Sequence, residues 1–386
     1  MKILIATDIH VHIIDGKYYL ATQLYSIINR YYEEFGPVIM YCRVSYGKTS
    51  EKLIDSTDIV DKIISFNNIF EIITKKNNKQ VDKAIKGCDL VVGRFHSFSA
   101  CQCAKIAKKN KKIFLAEVMG DAWDGYWNHG IVGKIIAPYI FIKTKISIYN
   151  ADFSLYVTEK YLQKKYPTKG ICINASNVRI TDVKQEILNE KLKQIDNRSF
   201  DRITLMTAAN VDVKAKGHEY VIKAIPKLLK KNIKVDYYIA GGGNNTYLNN
   251  IATKLDIQES IHFLGRKTPE EIFKLMDKID IYIQPSLQEG LPRSVIEAMS
   301  RGCFVIGSCT AGIPELLDKK FIFKRKNSRD IANKILMYKS MDKDEKKKVS
   351  LRNFNEAKKF DIELLDKKRK KFYAIIKEQI NKIYMG

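Results

Sequence analysis

The chain has 386 residues, too many for one ordinary hydrophobic core, so two domains are expected. Hydrophobic residues make up 45%, a globular composition, and no low-complexity tract interrupts it. With 67 Lys+Arg against 43 Asp+Glu the net charge is +24, which calls for an anionic partner: nucleic acid, anionic lipid or a phosphate-bearing substrate.

Met1-Lys2-Ile3-Leu4-Ile5-Ala6 runs directly into a strand and is too short for a signal peptide. Short β-rich runs then alternate with longer helical ones: "KILIATD" (2–8), "PVIMYCRV" (37–44), "CDLVVGRF" (88–95), "KIFLAEV" (112–118) and "DFSLYVT" (152–158). Cys101-Gln102-Cys103 lies on two faces of a helix. Its single-residue spacing does not suit a zinc knuckle or a redox pair. Seven cysteines without a regular spacing fit a reducing cytosol, so a cytoplasmic location is expected. The longest apolar tract, "IVGKIIAPYIFIKTKISIY" (131–149), is broken by Lys134, Pro138, Lys143 and Lys145 and is not a membrane span.

After a polar stretch from about 179 to 201 the pattern resumes with "ITLMTAAN" (203–210), "KVDYYIAGGG" (234–243), "SIHFLG" (260–265), "DIYIQPS" (280–286) and "CFVIGS" (303–308). Residues 217–232 carry helical periodicity with a lysine-loaded end, and Thr268-Pro269-Glu270-Glu271 is a capping box with proline in the first turn. The last 30 residues form one or two amphipathic helices. Apolar parallel strands covered by helices give two doubly wound α/β domains, 1–178 and 179–355, followed by a helical segment, 356–386. Ligands of such sheets sit at the carboxyl ends of the strands, so the site is expected in a cleft between the halves.

"PSLQEGLPRSVIEAMSRGC" (285–303) places Glu289 and Glu297 around a helix start at about Pro292, with Gly302 as the C-terminal cap. The start of a helix after a parallel strand favours an anion, and Gly290, Leu291 and Pro292, with Arg293 and Ser294, would lie against a phosphate. Carboxylates repel phosphate but accept hydrogen bonds from hydroxyls. Two of them bracketing an anion site therefore suggest a nucleoside diphosphate sugar, with ribose on one side and sugar on the other.

In the first half, "GDAWDGYWNHG" (120–130) holds the only two tryptophans, Trp123 and Trp127, beside Asp121, Asp124 and His129. Aromatic faces beside carboxylates suit a carbohydrate acceptor. Two motif look-alikes are dismissed. Gly47-Lys48-Thr49 lacks the earlier glycine of a phosphate loop, since position 42 is Cys. Asp342-Lys343-Asp344 sits in a lysine-rich solvated run. No catalytic metal and no other cofactor is expected.

The stretch 285–317, with Pro285-Ser286, Glu289-Gly290, Glu297-Ala298-Met299, Arg301-Gly302 and "VIGSCTAGIPELL" (305–317), resembles the signature of glycosyltransferase family 4, the group 1 glycosyltransferases of GT-B fold. The resemblance implies two Rossmann-like domains facing across a cleft, with a C-terminal helix returning to the first. It implies that Glu289 holds the donor sugar hydroxyls, Glu297 the ribose, and Gly290 and Leu291 the sugar and phosphate. Lys216-Gly217 matches the family's Lys-Gly cation element. Asn210 stands where the family has an arginine, so Lys214 or Arg266 would substitute. Gly265 and Arg266, in "FLGRK" (263–267), match the loop whose backbone meets the nucleobase. Gly16, in "HIIDGKYY" (12–19), takes the place of the family's diphosphate-side glycines, Asn177 that of the linker asparagine, and His129 that of a strand-end histidine near the reacting carbon.

The resemblance implies a retaining, metal-independent hexosyltransferase, UDP favoured over GDP, acting on a glycan or lipid-linked acceptor in bacterial surface-polysaccharide synthesis. The basic first half suits peripheral contact with an anionic membrane at its cytoplasmic face. The alternatives are a nucleotide-sugar epimerase of the same fold, a non-catalytic nucleotide-sugar binder, or a nucleic-acid-binding protein. The last is disfavoured, because the tyrosines are scattered and the lysines follow helix faces.

Overall fold

The computed structural model describes residues 1–47, 52–74, 76–181 and 183–385. Lys48 and Thr49 of the phosphate-loop look-alike lie outside them. The chain divides into two compact units, Met1–Asn177 with Asp366–Gly386, and Val178–Leu365.

The first unit is built on a sheet of nine strands among the described residues: β1 (Ile3–Ile14), β2 (Lys17–Ala21), β3 (Val38–Tyr46), β4 (Leu53–Asp55), β5 (Val60–Ser65), β6 (Leu90–Phe95), β7 (Ile113–Val118), β8 (Phe153–Tyr156) and β9 (Ile171–Asn174). Its centre is parallel, β3-β1-β6-β7-β8-β9, and the buried starts of β1, β6 and β7 are continuous apolar runs, as strands covered on both faces require. The edge departs from the all-parallel expectation: β1 runs on past Asp8 and pairs antiparallel with β2, which pairs antiparallel with β4.

This hairpin corrects the expectation for Gly16. Asp15 and Gly16 have φ of 50° and 76°, and Ile14 faces Lys17, so they are the two-residue tip of a β-hairpin. Asp-Gly supplies the two positive φ values that such a turn needs. Gly16 is exposed at that tip, with no atom within 4 Å of where a side chain would begin.

The second unit carries a six-stranded sheet, parallel throughout: β10 (Arg202–Ala208), β11 (Lys234–Ala240), β12 (Ile261–Gly265), β13 (Ile281–Gln284), β14 (Phe304–Ser308) and β15 (Ile322–Phe323), in the order β12-β11-β10-β13-β14-β15. Ile203, Leu205, Tyr237, Ile239, Ile281, Ile283 and Ile306 make its core, each inaccessible to solvent. The chain steps outward from β10 to β12, then returns to β13 and steps the other way. The carboxyl ends of β10 and β13 therefore form the topological switch point, where the flanking loops part and a ligand can enter.

Local chemistry decides the helices around this sheet. The capping box at Thr268 and Glu271 forms as its sequence predicts, with Pro269 in the first turn. Residues 217–232 do not make one helix: they break into His218–Ile222 and Ile225–Leu229, because Pro226 has no N–H to continue the ladder. Asp342 caps the helix Lys343–Ala357 and Asp344 is exposed, so that pair begins a helix. The helix Ile362–Met385 ends the chain. The segment that joins the first unit starts at Asp366, later than position 356, because Phe354 and Ala357 are buried in the helix that packs on Arg293–Ser300 and β14. Among the described residues no helix is long and apolar enough to cross a membrane.

Candidate functional site

The switch point of the second sheet gathers most of the residues singled out in that half. After β10, residues 209–217 form a loop with a single 3-10 turn at Lys214–Lys216, and the Leu287 N–H donates to the Ala215 carbonyl at 2.7 Å. Gly217 closes the loop at φ 76°, and a Cβ there would lie 2.1 Å from the Pro285 carbonyl oxygen. Only glycine lets these two loops meet so closely.

The close approach brings Lys216 onto Glu289. Lys216 Nζ lies 2.9 Å from Glu289 Oε1, the lysine side chain 31% exposed and the glutamate 11%. The same oxygen accepts from the Gln284 amide at 3.1 Å. Gln284 ends β13 fully buried. Its nitrogen also donates to the Ser286 hydroxyl at 2.8 Å, and its oxygen accepts from the hydroxyls of Tyr282 at 3.1 Å and Ser294 at 3.2 Å. Polar residues inside a parallel strand are costly unless paired, and this network pairs both ends of the Gln284 amide while holding Glu289. Gln284 was missed by reading the sequence. The signal was present in "DIYIQPS", a buried strand whose last inward position is an amide.

The helix Arg293–Ser300 begins after Pro292, which occupies the N-cap position, one residue before the first helical turn. Val295, Ile296, Ala298 and Met299 bury its inner face. Gly290 and Leu291 are half-buried before it, and the Gly290 carbonyl accepts from Gly312 N–H at 2.9 Å. Glu297 follows in the second turn. Burial raises its pKa above the ordinary carboxylate value, and Arg293 offsets only part of that. Both Glu289 and Glu297 act on the buried Tyr282 hydroxyl, raising its pKa together with burial, so the two carboxylates share one neighbourhood.

Asn210 is exposed just past β10, and its carbonyl accepts from His218 Nε2 at 3.2 Å. The other ring nitrogen of His218 lies 3.0 Å from the Tyr237 hydroxyl. Burial lowers the His218 pKa from 6.5 to about 4, so this histidine is a neutral brace under the loop. Of the two cations expected to substitute for the missing arginine, Lys214 sits over the Tyr247 ring at 4.7 Å. Arg266 follows β12 and reaches Gly242, its Nε 3.5 Å from where a Cβ would stand. Gly265 has open space above its Cα, and its carbonyl accepts from Gly241 N–H at 2.9 Å. Glu289, Lys216, Gly290, Leu291, Pro292, Glu297, Asn210, Gly265 and Arg266 therefore all stand at the carboxyl ends of strands of one sheet.

The residues expected against an acceptor fare differently. Asp121 is fully buried and caps the short helix Ala122–Trp127 by accepting from Trp123 N–H at 3.0 Å. It also accepts from the hydroxyls of Tyr161 at 2.8 Å and Tyr166 at 2.7 Å, and pairs with Lys165. Burial raises its pKa, but Lys165 and the two tyrosines outweigh that and leave it below the ordinary value. Its oxygens are committed to the fold, so Asp121 is a cap and not a sugar ligand. Trp123 and Trp127 stack at 5.1 Å, with Trp127 40% exposed.

His129 is exposed between two helices and makes no cap hydrogen bond, well past the end of β7, so it is not the strand-end histidine. A histidine that does follow a strand end is His96, directly after β6, packed against Gly120 and Gly125 with its pKa lowered by burial. Asp8, a few residues into β1, accepts from the N–H groups of Phe98 and Ser99 at 2.8 and 3.2 Å and so holds the start of the neighbouring helix. His96 was legible as the histidine ending "CDLVVGRFH". Asn177, at the end of the first unit, accepts from Arg30 at 2.9 Å. Among the described residues no group of three His, Cys, Asp or Glu stands close enough to hold a metal ion.

Comparison with known proteins bears on this arrangement. Residues 190–356, which span nearly all of the second unit, match the profile of the family described as "Glycosyl transferases group 1". Over its whole length the chain is 28% identical to protein CapJ of Staphylococcus aureus, covering 98% of that protein. It is 29% identical over 163 residues to the amylovoran biosynthesis glycosyltransferase AmsK of Erwinia amylovora, which is 40% of this chain and 39% of that one. The fold matches that of Anabaena HepE, solved in complex with UDP and glucose, with a TM-score of 0.65 at 14% identity over 97% of this chain and 99% of that one.

Proposed function

Because residues 190–356 match the group 1 glycosyltransferases and the fold is GT-B, we propose that this chain is a glycosyltransferase of that family, moving a sugar from a UDP-sugar, with retention, to a glycan or lipid-linked acceptor in the assembly of a surface polysaccharide. The observation that carries the reading is the Lys216–Glu289 pair at the switch point, a cation and a carboxylate in contact at the start of a helix. Unpaired by the arriving donor, Lys216 meets the diphosphate and Glu289 accepts from sugar hydroxyls. Backbone at Gly290 and Leu291 lies along the sugar and phosphate. Glu297, with its carboxylate in an apolar setting, accepts from the ribose. Arg266 is the cation beside the nucleobase loop, and Asn210 is exposed just past β10.

In the transfer step the bond from the anomeric carbon to the diphosphate breaks, and the departing phosphate oxygen takes the proton of the acceptor hydroxyl. The acceptor oxygen bonds to the anomeric carbon on the same face. Lys216 and the helix start stabilise the charge that develops on the leaving diphosphate, so neither a metal nor another cofactor is required. Glu289 positions the sugar and does not attack it. The support for UDP is the complex of HepE with UDP and glucose; the support for a surface polysaccharide is the likeness to AmsK, a glycosyltransferase of amylovoran biosynthesis. Kinetics with a saturating acceptor separate the two glutamates. Glu289→Ala abolishes transfer and Glu297→Ala chiefly raises the donor KM. An unchanged donor KM with a lowered kcat in Glu297→Ala would reject this division of roles.

A further inference from the structure

The helix Gly130–Tyr149 has an inner face of small or compact residues, Gly133, Ala137, Ile140, Thr144 and Ile148, all buried. The opposite face is apolar too and has no cover among the described residues: Ile131 is 78% exposed, Ile135 72%, Val132 67%, Ile142 55% and Ile146 54%. At roughly 100° per residue these side chains, with Pro138, Tyr139 and Tyr149, fall in an arc of about 120° centred directly opposite the buried face. Lys134 and Lys145 stand along one border of that arc and Lys143 along the other, all exposed. No acidic residue occurs from Gly125 to Ala151. Lys169 lies over the Tyr149 ring at 4.6 Å, and Lys108 reaches Asn150 at 3.2 Å, which extends the basic rim around the helix end.

An uncovered stripe of isoleucines is costly in water, and a monomer rarely keeps one without a partner. The lysine borders choose among partners. A second copy of this face would set lysines against lysines on a chain of net charge +24. An anionic bilayer offers acyl chains to the stripe and phosphate headgroups to the borders, where lysine stems lie on apolar surface and the ammonium stays in the headgroup layer. Trp127 and Tyr139 stand at the two borders of the stripe, with Lys134 5.8 Å from the Trp127 ring and Lys143 5.5 Å from the Tyr139 ring, where such helices place aromatic residues.

We propose that the helix Gly130–Tyr149 docks this chain on an anionic membrane, lying in the plane of the interface with its isoleucine stripe among the acyl chains and its lysines on the headgroups. The proposal deepens the lipid-linked acceptor of the proposed function and rests on that reading. It assigns the contact to one face of one helix, so the diffuse basic charge of the first half is not what anchors the chain.

The test is flotation of the full chain with vesicles of phosphatidylcholine alone and of phosphatidylcholine with phosphatidylglycerol, across a salt series. The wild type floats with the anionic vesicles at low salt, and its tryptophan emission shifts to shorter wavelength. Ile135→Asn with Ile142→Asn weakens partition roughly tenfold per isoleucine. Replacing Lys134, Lys143 and Lys145 by Gln weakens it roughly fivefold per lysine. All five positions are exposed, so both variants keep the wild-type melting temperature. The proposal is overturned by an isoleucine variant that floats as well as the wild type, by absence of flotation at low salt, or by a concentration-dependent dimer that the isoleucine variant abolishes. UDP-induced stabilisation is measured on the same samples. Flotation without it leaves docking intact and removes the donor reading; the reverse removes docking alone.

Discussion

Gln284→Leu separates positioning of Glu289 from mere support of the strand. The leucine fills a similar volume at a position 1% exposed, so packing is kept and only hydrogen bonds are lost. Ser286 and Ser294 lose the partner that Gln284 gives them at 2.8 and 3.2 Å, and Tyr282 loses one at 3.1 Å while still accepting from Ala208 N–H at 3.2 Å. At about 1–3 kcal/mol for each buried group left unpaired, with some relaxation, the variant should be destabilised by about 2–4 kcal/mol. Glu289 loses one of its two holds, the 3.1 Å hydrogen bond from the amide, and is left with Lys216. A hydrogen bond to a charged group contributes about 1.5–3 kcal/mol, which, expressed in the transition state, lowers kcat by roughly ten- to a hundredfold. The assay is donor and acceptor saturation kinetics well below the melting transition of the variant, with the folded fraction measured by circular dichroism. The expected result is a fall in kcat with little change in donor KM, because Glu297 and the backbone still hold the nucleotide. A folded variant with kcat within roughly twofold of the parent, a difference far below 1 kcal/mol, would refute the positioning role.

Three further outcomes follow from the same site. Glu297→Gln removes a charge whose pKa burial holds high, so at neutral pH the free protein should melt at a higher temperature while UDP stabilises it less; a lower melting temperature with undiminished UDP stabilisation would contradict both halves. His218 binds its proton in the unfolded chain at 6.5 but in the fold only at about 4, so its contribution to stability is complete above pH 6.5 and falls by about 3 kcal/mol as the pH drops from there through 4. Urea midpoints against pH should show that limb in the wild type, and His218→Gln should flatten it. Gly217→Ala should lose at least about 1–2 kcal/mol from the left-handed backbone alone. It should lose UDP stabilisation as well, because the Cβ would meet Pro285 O at 2.1 Å and push Lys216 away from Glu289; normal UDP stabilisation in the folded variant would remove Lys216 from the donor site.

What could be read from the sequence divides by distance along the chain. Residues 285–303 act through neighbours a few positions away, a strand end, a turn and a helix start, so Glu289, Gly290, Leu291 and Glu297 were placed correctly on their elements. Lys216 itself was reached through a resemblance, and its contact with Glu289, 73 positions away, was not foreseen. Asp121 was misjudged because the groups that claim its oxygens, Tyr161, Lys165 and Tyr166, are 40 to 45 residues downstream and leave no mark near it. Gly16 was misjudged for the opposite reason. Its local signal was clear: Asp-Gly between two β-rich runs makes a hairpin, and the loop expected at that position overrode it. Gln284 was overlooked because a buried amide in a strand looks like one more strand residue until its partner, Glu289, is seen beside it.

The central claim is that the switch point of the second sheet binds a nucleoside diphosphate sugar through Lys216, Glu289 and Glu297. Thermal unfolding of the purified chain with UDP, GDP and a panel of their sugars, first without and then with a divalent metal, tests it most directly. The account predicts stabilisation by UDP without metal, greater stabilisation by one UDP-sugar, and loss of both in Glu297→Ala. Absence of stabilisation by every nucleotide, beside stabilisation by nucleic acid, would contradict it and assign the basic charge to a different partner.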